Sequence, residues 1–497
     1  MKKLAAAAIA VTAVGFQSGA LSAQDVLRVA VPSNLNTLDP AKTKIGEEYL
    51  VNYLVFDGLT EINRDMELDR GLAESWSHSE DLQTWTFNLR PGIRFHDGSA
   101  LDAQDVIATV EHVLDKATGS SSRVNFLMVD RMEAVDDHTV RFELNTPYSG
   151  FPEVFGERHV RILPSEKIES QATDPIGTGP FRFESFAPGD RVELVRNDEY
   201  WKEGQPKLDG VVFQIMPETA ARMTALQSGQ VDVVWDLPLE SIEEARNAEG
   251  IAVDAVATSS WDGIIMRADQ PPFDKVEVRQ AVAHAISKPD LVEIALFGNG
   301  SPTHSPISPA SPYYNQDLAV PEPDPAKAQE LLAVAGYPDG FEITLYIPDG
   351  RPNRERVGVA AQQMLRPIGI NVDLQRVPWD QFINEIEGQA SFYVDGFYSR
   401  PTVDTSVYPW YHSEGSWNDR LWHYANPEMD EILDAARRTG DQAQRAELYK
   451  KFQELAVQDA PGIIPYVLQH ANAYRENVKG LRSTPMMWLP LAEVSLE

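Results

Sequence analysis

The chain has 497 residues, 43% of them hydrophobic and 24% charged, as is typical of a soluble globular protein of about three domains. Its formal net charge of −32 argues against nucleic acids and anionic membranes as partners, because both would repel it. The absence of cysteine excludes disulfide bonds and a lipidated cysteine anchor, and it fits export to an oxidising compartment.

Residues 1–23 have the pattern of a secretory signal peptide. Lys2 and Lys3 precede an apolar run at 4–16, and residues 20–23 offer small side chains for cleavage. The run is too short to span a bilayer, and no later window approaches about 20 uninterrupted apolar residues. We therefore expect cleavage near residue 22 or 23 and export to the periplasm of a Gram-negative cell.

The first strand of the mature chain is predicted at 27–31, and a polar loop follows it. Ser33, Asn34 and Leu35 open this loop. The loop can be a plain strand-to-helix connection. It would also lie at the carboxyl end of a strand, where open α/β sheets bind ligands, so these three residues are candidate ligand contacts.

Residues 72–114 predict two strands followed by a helix. Trp85, Phe87 and Leu89 alternate with polar residues, at the two-residue period of a half-buried strand. Asp102 precedes Asp105 by three residues, which is an N-cap arrangement for a helix.

Strands and helices also alternate over 192–235 and 324–397, which predicts two further α/β regions. Between them, Asp274 and Glu277 are predicted to cap a helix at 276–286. A second cap is predicted at Asp380.

Two sequence blocks carry a resemblance to a known family. Residues 72–106 contain AESW, WTFNLR, GIRFHDG and DAQDV, and residues 271–286 read PPFDKVEVRQAVAHAI. The chain resembles the large solute-binding proteins of bacterial ABC importers, family 5, the group that binds oligopeptides, dipeptides, nickel and opines. The resemblance implies an α/β, two-lobed periplasmic-binding-protein fold of type II with an extra inserted α/β domain.

The resemblance also implies domain bounds. We expect a discontinuous lobe I, a subdomain inserted into it, and a lobe II, with crossovers near 257–269 and 467–474 acting as the hinge. The expected bounds are 24–49, 174–264 and 474–497 for lobe I, 50–173 for the inserted subdomain, and 265–473 for lobe II.

The implied function is capture of a small solute, first of all a dipeptide or oligopeptide, and its delivery to an inner-membrane ABC permease and its ATPase subunits. The resemblance implies a monomer without a cofactor and without direct membrane insertion. The sequence has no Gly-x-Ser-x-Gly, no His-Glu-x-x-His and no Gly-Lys pair for a P-loop, and its histidines lack zinc-site spacing. We therefore expect no enzyme and no bound metal, and a periplasmic hydrolase would need an unfamiliar set of residues.

Residues 391–424 stand out because ten of the 34 are Phe, Tyr or Trp, against 9% in the whole chain. These aromatic residues can pack a long connection, or they can form the wall of a ligand site, with Tyr398 and Trp417 as candidates. Arg400 can hold a carboxylate, and Asp404 can receive an amine. Trp261 and Asp262, on the first crossover, are further candidates, although a tryptophan at a hinge is usually core.

The resemblance implies a role for an acid in this region, since peptide-binding members hold the peptide's amino terminus with one. Here Arg400 comes early, and Val403 stands before Asp404. This departure leaves room for an opine or another carboxylate-bearing ligand. A nickel chelate would need His412 or His423.

Overall fold

The computed structural model describes residues 25–497, apart from the side chain of Asp419. The predicted signal peptide at 1–23 lies outside the described residues. The strands are β1 (Val26–Val31), β2 (Thr60–Ile62), β3 (Leu68–Arg70), β4 (Ala73–His78), β5 (Thr84–Leu89), β6 (Val129–Asp136), β7 (Thr139–Leu144), β8 (Phe181–Ala187), β9 (Arg191–Arg196), β10 (Gly210–Ile215), β11 (Val233–Val234), β12 (Ile251–Ala257), β13 (Trp261–Met266), β14 (Gly300–Pro302), β15 (Phe341–Pro348), β16 (Ile370–Val377), β17 (Phe392–Phe397), β18 (Gly462–Ile463), β19 (Tyr466–Arg475), β20 (Val478–Lys479) and β21 (Ser495–Leu496).

The helices between these strands pack on the sheets and connect them. They are α1 (Gly46–Val55), α2 (Ala103–Leu114), α3 (Phe151–Val154), α4 (Thr219–Ser228), α5 (Ile242–Arg246), α6 (Val276–Ala285), α7 (Lys288–Leu296), α8 (Pro325–Val334), α9 (Pro352–Leu365), α10 (Trp379–Gln381), α11 (Val403–Tyr411), α12 (Pro427–Arg438) and α13 (Gln442–Asp459). A π-helical turn, Phe382–Ile386, follows α10.

Three sheets define the three parts of the molecule. The first lobe is built on the sheet β12-β19-β11-β1-β10-β9-β8, in which β1 runs parallel to β10 and β11. The second lobe is built on β16-β15-β17-β13-β18, in which β15 runs parallel to β16 and β17. The inserted subdomain is the antiparallel sheet β4-β5-β7-β6 with α2. This mixed α/β, two-lobed architecture is the one expected.

Each part buries its own apolar face. In the inserted subdomain, Trp85, Phe87 and Leu89 all point into one core, and Asp102 caps α2 by accepting hydrogen bonds from two backbone N–H groups, as the sequence predicts.

The turn at Gly177 joins the subdomain to the first lobe. A Cβ there would lie 2.1 Å from the carbonyl oxygen of Val55, so only glycine fits.

The chain passes between the two lobes twice. β12 belongs to the first lobe and β13 to the second, so the first passage lies at 258–260; the second lies at 464–465, between β18 and β19. The predicted crossover at 467–474 falls inside β19, because all of these residues pair with β12 or β14 in the first lobe. The predicted domain bounds stay predictions, and this pairing favours a second lobe that begins near residue 261.

Two predicted helix caps are wrong. α6 begins after Lys275 without a side-chain cap, because Asp274 is held in a preceding turn by its N–H bond to Gln270. α10 follows Pro378, so Asp380 lies inside the first turn instead of before it.

Candidate functional site

A cavity of about 460 Å³ lies where the inserted subdomain, α1 and the second lobe meet. We call it the central cavity. Four cationic residues line it: Lys44, Arg158, Arg400 and Arg420. Among the described side chains that line it, Glu157 is the one carboxylate. The cavity is thus a positive region within a strongly acidic protein.

Arg158 connects the inserted subdomain to the second lobe at this cavity. Its Nη2 donates a hydrogen bond of 2.6 Å to the carbonyl oxygen of Ser399, across 241 positions of sequence. Its guanidinium lies over the Tyr49 ring, 4.7 Å from the centroid, and its Nε lies 3.5 Å from Glu157 Oε1. The side chain is 6% exposed, so this cation is held in a low-dielectric environment.

Glu157 lies beside Arg158 and is also buried. Burial raises the pKa of its carboxyl group. The contact with His159 and the positive charges of Arg158 and Arg400 outweigh this effect and hold the pKa at about 2. The carboxylate is therefore ionised at any physiological pH.

His159 contacts the carboxyl group of Glu157 and is itself buried. Its Nδ1 lies 3.5 Å from Glu157 Oε1, and its Nε2 donates to the backbone carbonyl of Thr43 at 3.1 Å. Burial lowers the pKa of His159 and outweighs the opposing effect of Glu157. Its ring also meets the Tyr49 ring edge-on, with 5.5 Å between centroids.

Arg400 comes from the segment that follows β17, and it lines the central cavity. Its guanidinium lies 5.9 Å from the centroid of Trp410. Burial lowers its pKa below the usual value of arginine, Glu157 opposes this, and the charge of Arg158 adds to it. No carboxylate among the described side chains forms an ion pair with Arg400, so its charge is available to a ligand.

The opposite side of the central cavity is aromatic. Phe397, Trp410 and Trp417 line it, and Phe397 meets the other two rings edge-on at centroid distances of 5.5 and 5.3 Å. Arg420 lies over the Trp417 ring at 5.2 Å. Such rings offer a large contact area with little conformational entropy to lose.

The sequence-predicted residues Tyr398, Arg400 and Trp417 all line the central cavity. Tyr398 is 61% exposed and also borders a second cavity of about 450 Å³, which Trp261 and Asp262 line as well. The structure therefore brings Tyr398, Arg400 and Trp417 together at the central cavity, and Tyr398 also joins Trp261 and Asp262 at the second cavity.

Trp261 and Asp262 have structural partners. Trp261 stacks on Trp422 with 6.0 Å between centroids. Asp262 accepts a hydrogen bond of 3.0 Å from Nε of Arg354, which also bonds Asp395. Both side chains are buried, so they stabilise the second lobe beside the passage between the lobes.

The predicted loop residues after β1 lie outside both cavities. Ser33 Oγ donates to Glu47 at 2.6 Å, and Asn34 Oδ1 accepts from the backbone N–H of Gly189 at 2.9 Å. Leu35 belongs to the core of the first lobe. Their neighbour Pro32 lines the second cavity.

Asp404 lies at the start of α11 and takes part in a contact across the cleft. Arg437 donates two hydrogen bonds of 2.9 Å to its two carboxylate oxygens, and Tyr148 of the inserted subdomain donates one of 3.0 Å. Asp404 does not line the central cavity.

Two further bonds bridge the same gap. The Ser149 N–H donates to the carbonyl of Arg437 at 2.7 Å, and Arg445 Nη2 lies 3.1 Å from Glu153 Oε1. These bonds and that of Tyr148 hold the inserted subdomain against the second lobe, and we call them the cross-cleft contacts. Arg445 and Glu153 line a third cavity of about 590 Å³, which meets the central cavity at Arg400.

Sequence reasoning missed Glu157, Arg158 and His159. They lie far from the aromatic segment in the chain, and no periodic pattern marks them. One signal is present: several ionisable residues in a row between the apolar residues Phe155 and Ile162. Buried charges of this kind persist only where they are paired or functional.

Within residues 25–497, no cluster of three or more His, Cys, Asp and Glu side chains is arranged to hold a metal ion. In the same range, no helix combines the length and apolar character that a membrane crossing requires.

The family model of the bacterial extracellular solute-binding proteins, family 5 (Middle), matches residues 67–418. The chain belongs to this family. It is the substrate-binding component of an ABC importer, and it works outside the cell membrane with an ABC permease. Its sequence is similar to a glutathione-binding protein, GsiB, of Pectobacterium atrosepticum, with 32% identity over 96% of this chain and 95% of the relative.

Two solved structures are similar to this one throughout. DppA, a periplasmic binding protein of an ABC transporter from Helicobacter pylori in complex with the peptide STSA, is 27% identical, with a TM-score of 0.80 over 95% of this chain and 98% of that chain. AgaA from A. tumefaciens R10, in complex with agropinic acid, is 26% identical, with a TM-score of 0.81 over 95% of this chain and 99% of that chain.

Proposed function

We propose that this protein captures a short peptide or peptide-like solute that carries a carboxylate, and that it does so in the periplasm. The observation that carries the proposal is the central cavity, which is lined by both Arg158 and Arg400 together with aromatic side chains. Arginine binds a carboxylate through two parallel N–H groups, and Arg400 has no described ion-pair partner to displace.

The size of the cavity and the names of the relatives support a small peptide. A volume of about 460 Å³ lies within the ~300–1,000 Å³ that small-ligand sites span. The curated relative binds glutathione, a tripeptide, and DppA was solved with a peptide. Glutathione is therefore the first probe to test.

Capture follows from closure of the two lobes. The solute binds one lobe, the lobes approach, and water leaves the central cavity, so the charges of Arg158 and Arg400 act on the ligand in a lower dielectric. The ligand drives closure only by its greater affinity for the closed form, which the cross-cleft contacts also stabilise. We propose that the closed form is the one that the permease recognises.

The remaining parts of the proposal concern the context of the protein. It would be exported by the segment 1–23, act as a monomer, catalyse no reaction, and deliver its ligand to a permease driven by separate ATPase subunits. The same proposal includes the domain bounds: 24–49, 174–264 and 474–497 for lobe I, 50–173 for the inserted subdomain, and 265–473 for lobe II. The strand pairing described above favours a start of lobe II near residue 261.

A second candidate ligand is an opine or another non-peptide carboxylate. AgaA was solved with agropinic acid, and the positive central cavity would suit such an anion equally well. A nickel chelate has less support. His412 accepts a hydrogen bond from the N–H of Glu414, His423 contacts Asp269, and neither lines the central cavity.

Isothermal titration calorimetry tests the proposal. Purified protein freed of bound solute is titrated with glutathione, Ser-Thr-Ser-Ala, agropinic acid and nickel with histidine. We expect saturable binding of at least one peptide. Binding of agropinic acid alone would move the function to opines, and binding of the nickel chelate alone would refute a peptide carrier. Mass spectrometry of solute that co-purifies with the native protein provides an independent answer.

A further inference from the structure

Glu157 has an unused capacity to accept hydrogen bonds at the ligand site. Its side chain is 3% exposed, and its Oε1 has no hydrogen-bond partner among the described atoms. The neighbouring nitrogen atoms, Arg158 Nε and His159 Nδ1, each lie 3.5 Å away, beyond the usual N–H···O distance. A buried carboxylate oxygen without a partner is unfavourable, so a donor from the ligand would stabilise it.

Asp404, the acid that the family resemblance suggests for a ligand amine, is already occupied. Two N–H groups of Arg437 and the hydroxyl of Tyr148 satisfy its carboxylate, and it lies outside the central cavity. To receive an ammonium group, Asp404 would have to break its ion pair with Arg437. Arg437 would then remain half-buried without a partner, which is unfavourable. Glu157 is the one described carboxylate that lines the central cavity.

We propose that Glu157 receives the ammonium group of the ligand, while Arg158 and Arg400 hold a carboxylate of the same molecule. This inference rests on the proposed function and narrows it: the preferred solute carries a free primary amine and at least one carboxylate. The acid that binds the amine would then come from the inserted subdomain instead of the second lobe. The amine and a carboxylate of one ligand molecule would bridge the two parts on closure, because Glu157 belongs to the inserted subdomain and Arg400 to the second lobe.

The alternative role for Glu157 is to balance the charges of Arg158 and Arg400 without touching the ligand. The two roles predict different responses to the ligand's amine. If Glu157 binds the ammonium, acetylating that amine removes the contact, and Glu157→Gln has little further effect on the acetylated ligand. If Glu157 only balances charge, Glu157→Gln changes the affinity for both forms by the same factor.

The test is a double-mutant cycle between the ligand amine and Glu157. Calorimetry measures wild-type protein and Glu157→Gln, each with glutathione and N-acetylglutathione, and with Ser-Thr-Ser-Ala and its N-acetyl form. We expect N-acetylation to weaken binding to the wild type at least about tenfold, and Glu157→Gln to weaken binding of the free-amine peptide at least about tenfold. Binding of the N-acetyl peptide to Glu157→Gln should be unchanged or tighter, since Arg158 then has less competition.

Asp404→Asn is the matched comparison, because it removes the acid that the family resemblance favours. We expect any loss in Asp404→Asn to be equal for free and acetylated peptides. Amine-selective loss in this variant, or none in Glu157→Gln, would overturn the inference while the proposed function stands. If no peptide binds the wild type, the proposed function fails and this inference fails with it.

Circular dichroism confirms that each variant folds. If Glu157→Gln does not fold, Glu157→Asp replaces it: the shortened side chain keeps the charge but withdraws it from the ligand, so the amine-selective loss should be smaller but present. The wild-type comparison of free and acetylated peptides does not depend on any variant, and equal affinities there would already refute the inference.

Discussion

Removing the hydroxyl group of Tyr148 tests whether the cross-cleft contacts contribute to ligand capture. In Tyr148→Phe the buried ring stays in place, and Asp404 keeps both bonds from Arg437 while it loses the bond of 3.0 Å from Tyr148. A hydrogen bond to a charged group contributes about 1.5–3 kcal/mol. In an open form, water would bond Asp404 in both proteins and the Tyr148 hydroxyl in the wild type, so the lost bond to Asp404 weakens the closed form alone.

We expect the closed form to lose about 1.5–3 kcal/mol, which corresponds to a weaker Kd by about 12- to 140-fold. Calorimetry measures the Kd, and small-angle X-ray scattering measures the radius of gyration of the ligand-free protein, which should increase if it opens. Tyr424→Phe is the control: its hydroxyl donates to Asp459 at 2.6 Å, but both residues lie in the second lobe. It should lower the free energy of unfolding without weakening the Kd. An unchanged Kd and radius of gyration in Tyr148→Phe, or equal loss of affinity in both variants, would refute the reasoning.

Three further substitutions test other parts of the structure. Arg400→Ala should weaken binding of a carboxylate-bearing ligand at least about tenfold by calorimetry, since it removes the unpaired guanidinium of the central cavity; unchanged affinity would refute that role. Burial, helped by Asp395, raises the pKa of Glu387 to about 7, so its folded form favours the proton, and the stability present below pH 4.5 declines as the pH rises through 7. Glu387→Gln should therefore have a higher free energy of unfolding than wild type at pH 8, by on the order of 2 kcal/mol in urea unfolding, with a much smaller gain at pH 4.5; equal effects at both pH values would contradict this. Gly396→Ala should destabilise the protein in urea unfolding, because a Cβ there would lie 2.2 Å from Asp262 Oδ1 and 2.5 Å from the Trp261 carbonyl oxygen, and wild-type stability would contradict that crowding.

The sequence predicted much of the fold, because periodic patterns are local. The alternation in β5 and the Asp102 cap of α2 depend on residues a few positions apart, and the structure confirms them. The predicted caps at Asp274 and Asp380 are wrong for the same reason, because they too were predicted from local spacing alone. A hydrogen bond to Gln270 and the fixed geometry of Pro378 decided where those helices begin, and spacing alone does not show which nearby interaction wins.

The candidate site was predicted only where it coincides with a compositional signal. The aromatic segment identified Tyr398, Arg400 and Trp417, which line the central cavity. It also suggested Asp404, which pairs with Arg437 and Tyr148 instead, because a local pattern does not show which partner the fold will bring to a side chain. Glu157 and Arg158 reach Arg400 from more than two hundred positions away, and only the tertiary structure establishes that proximity.

The contrast between an acidic exterior and a cationic cavity has a kinetic consequence. An anionic solute that approaches the protein meets a net charge of −32 before it reaches the four cations at the site. Salt screens interactions over the Debye length, about 10 Å at 0.1 M, and affects contacts inside a closed cleft far less. Association with an anionic ligand should therefore accelerate as ionic strength rises while dissociation stays nearly constant, so that uptake becomes more efficient in saltier surroundings.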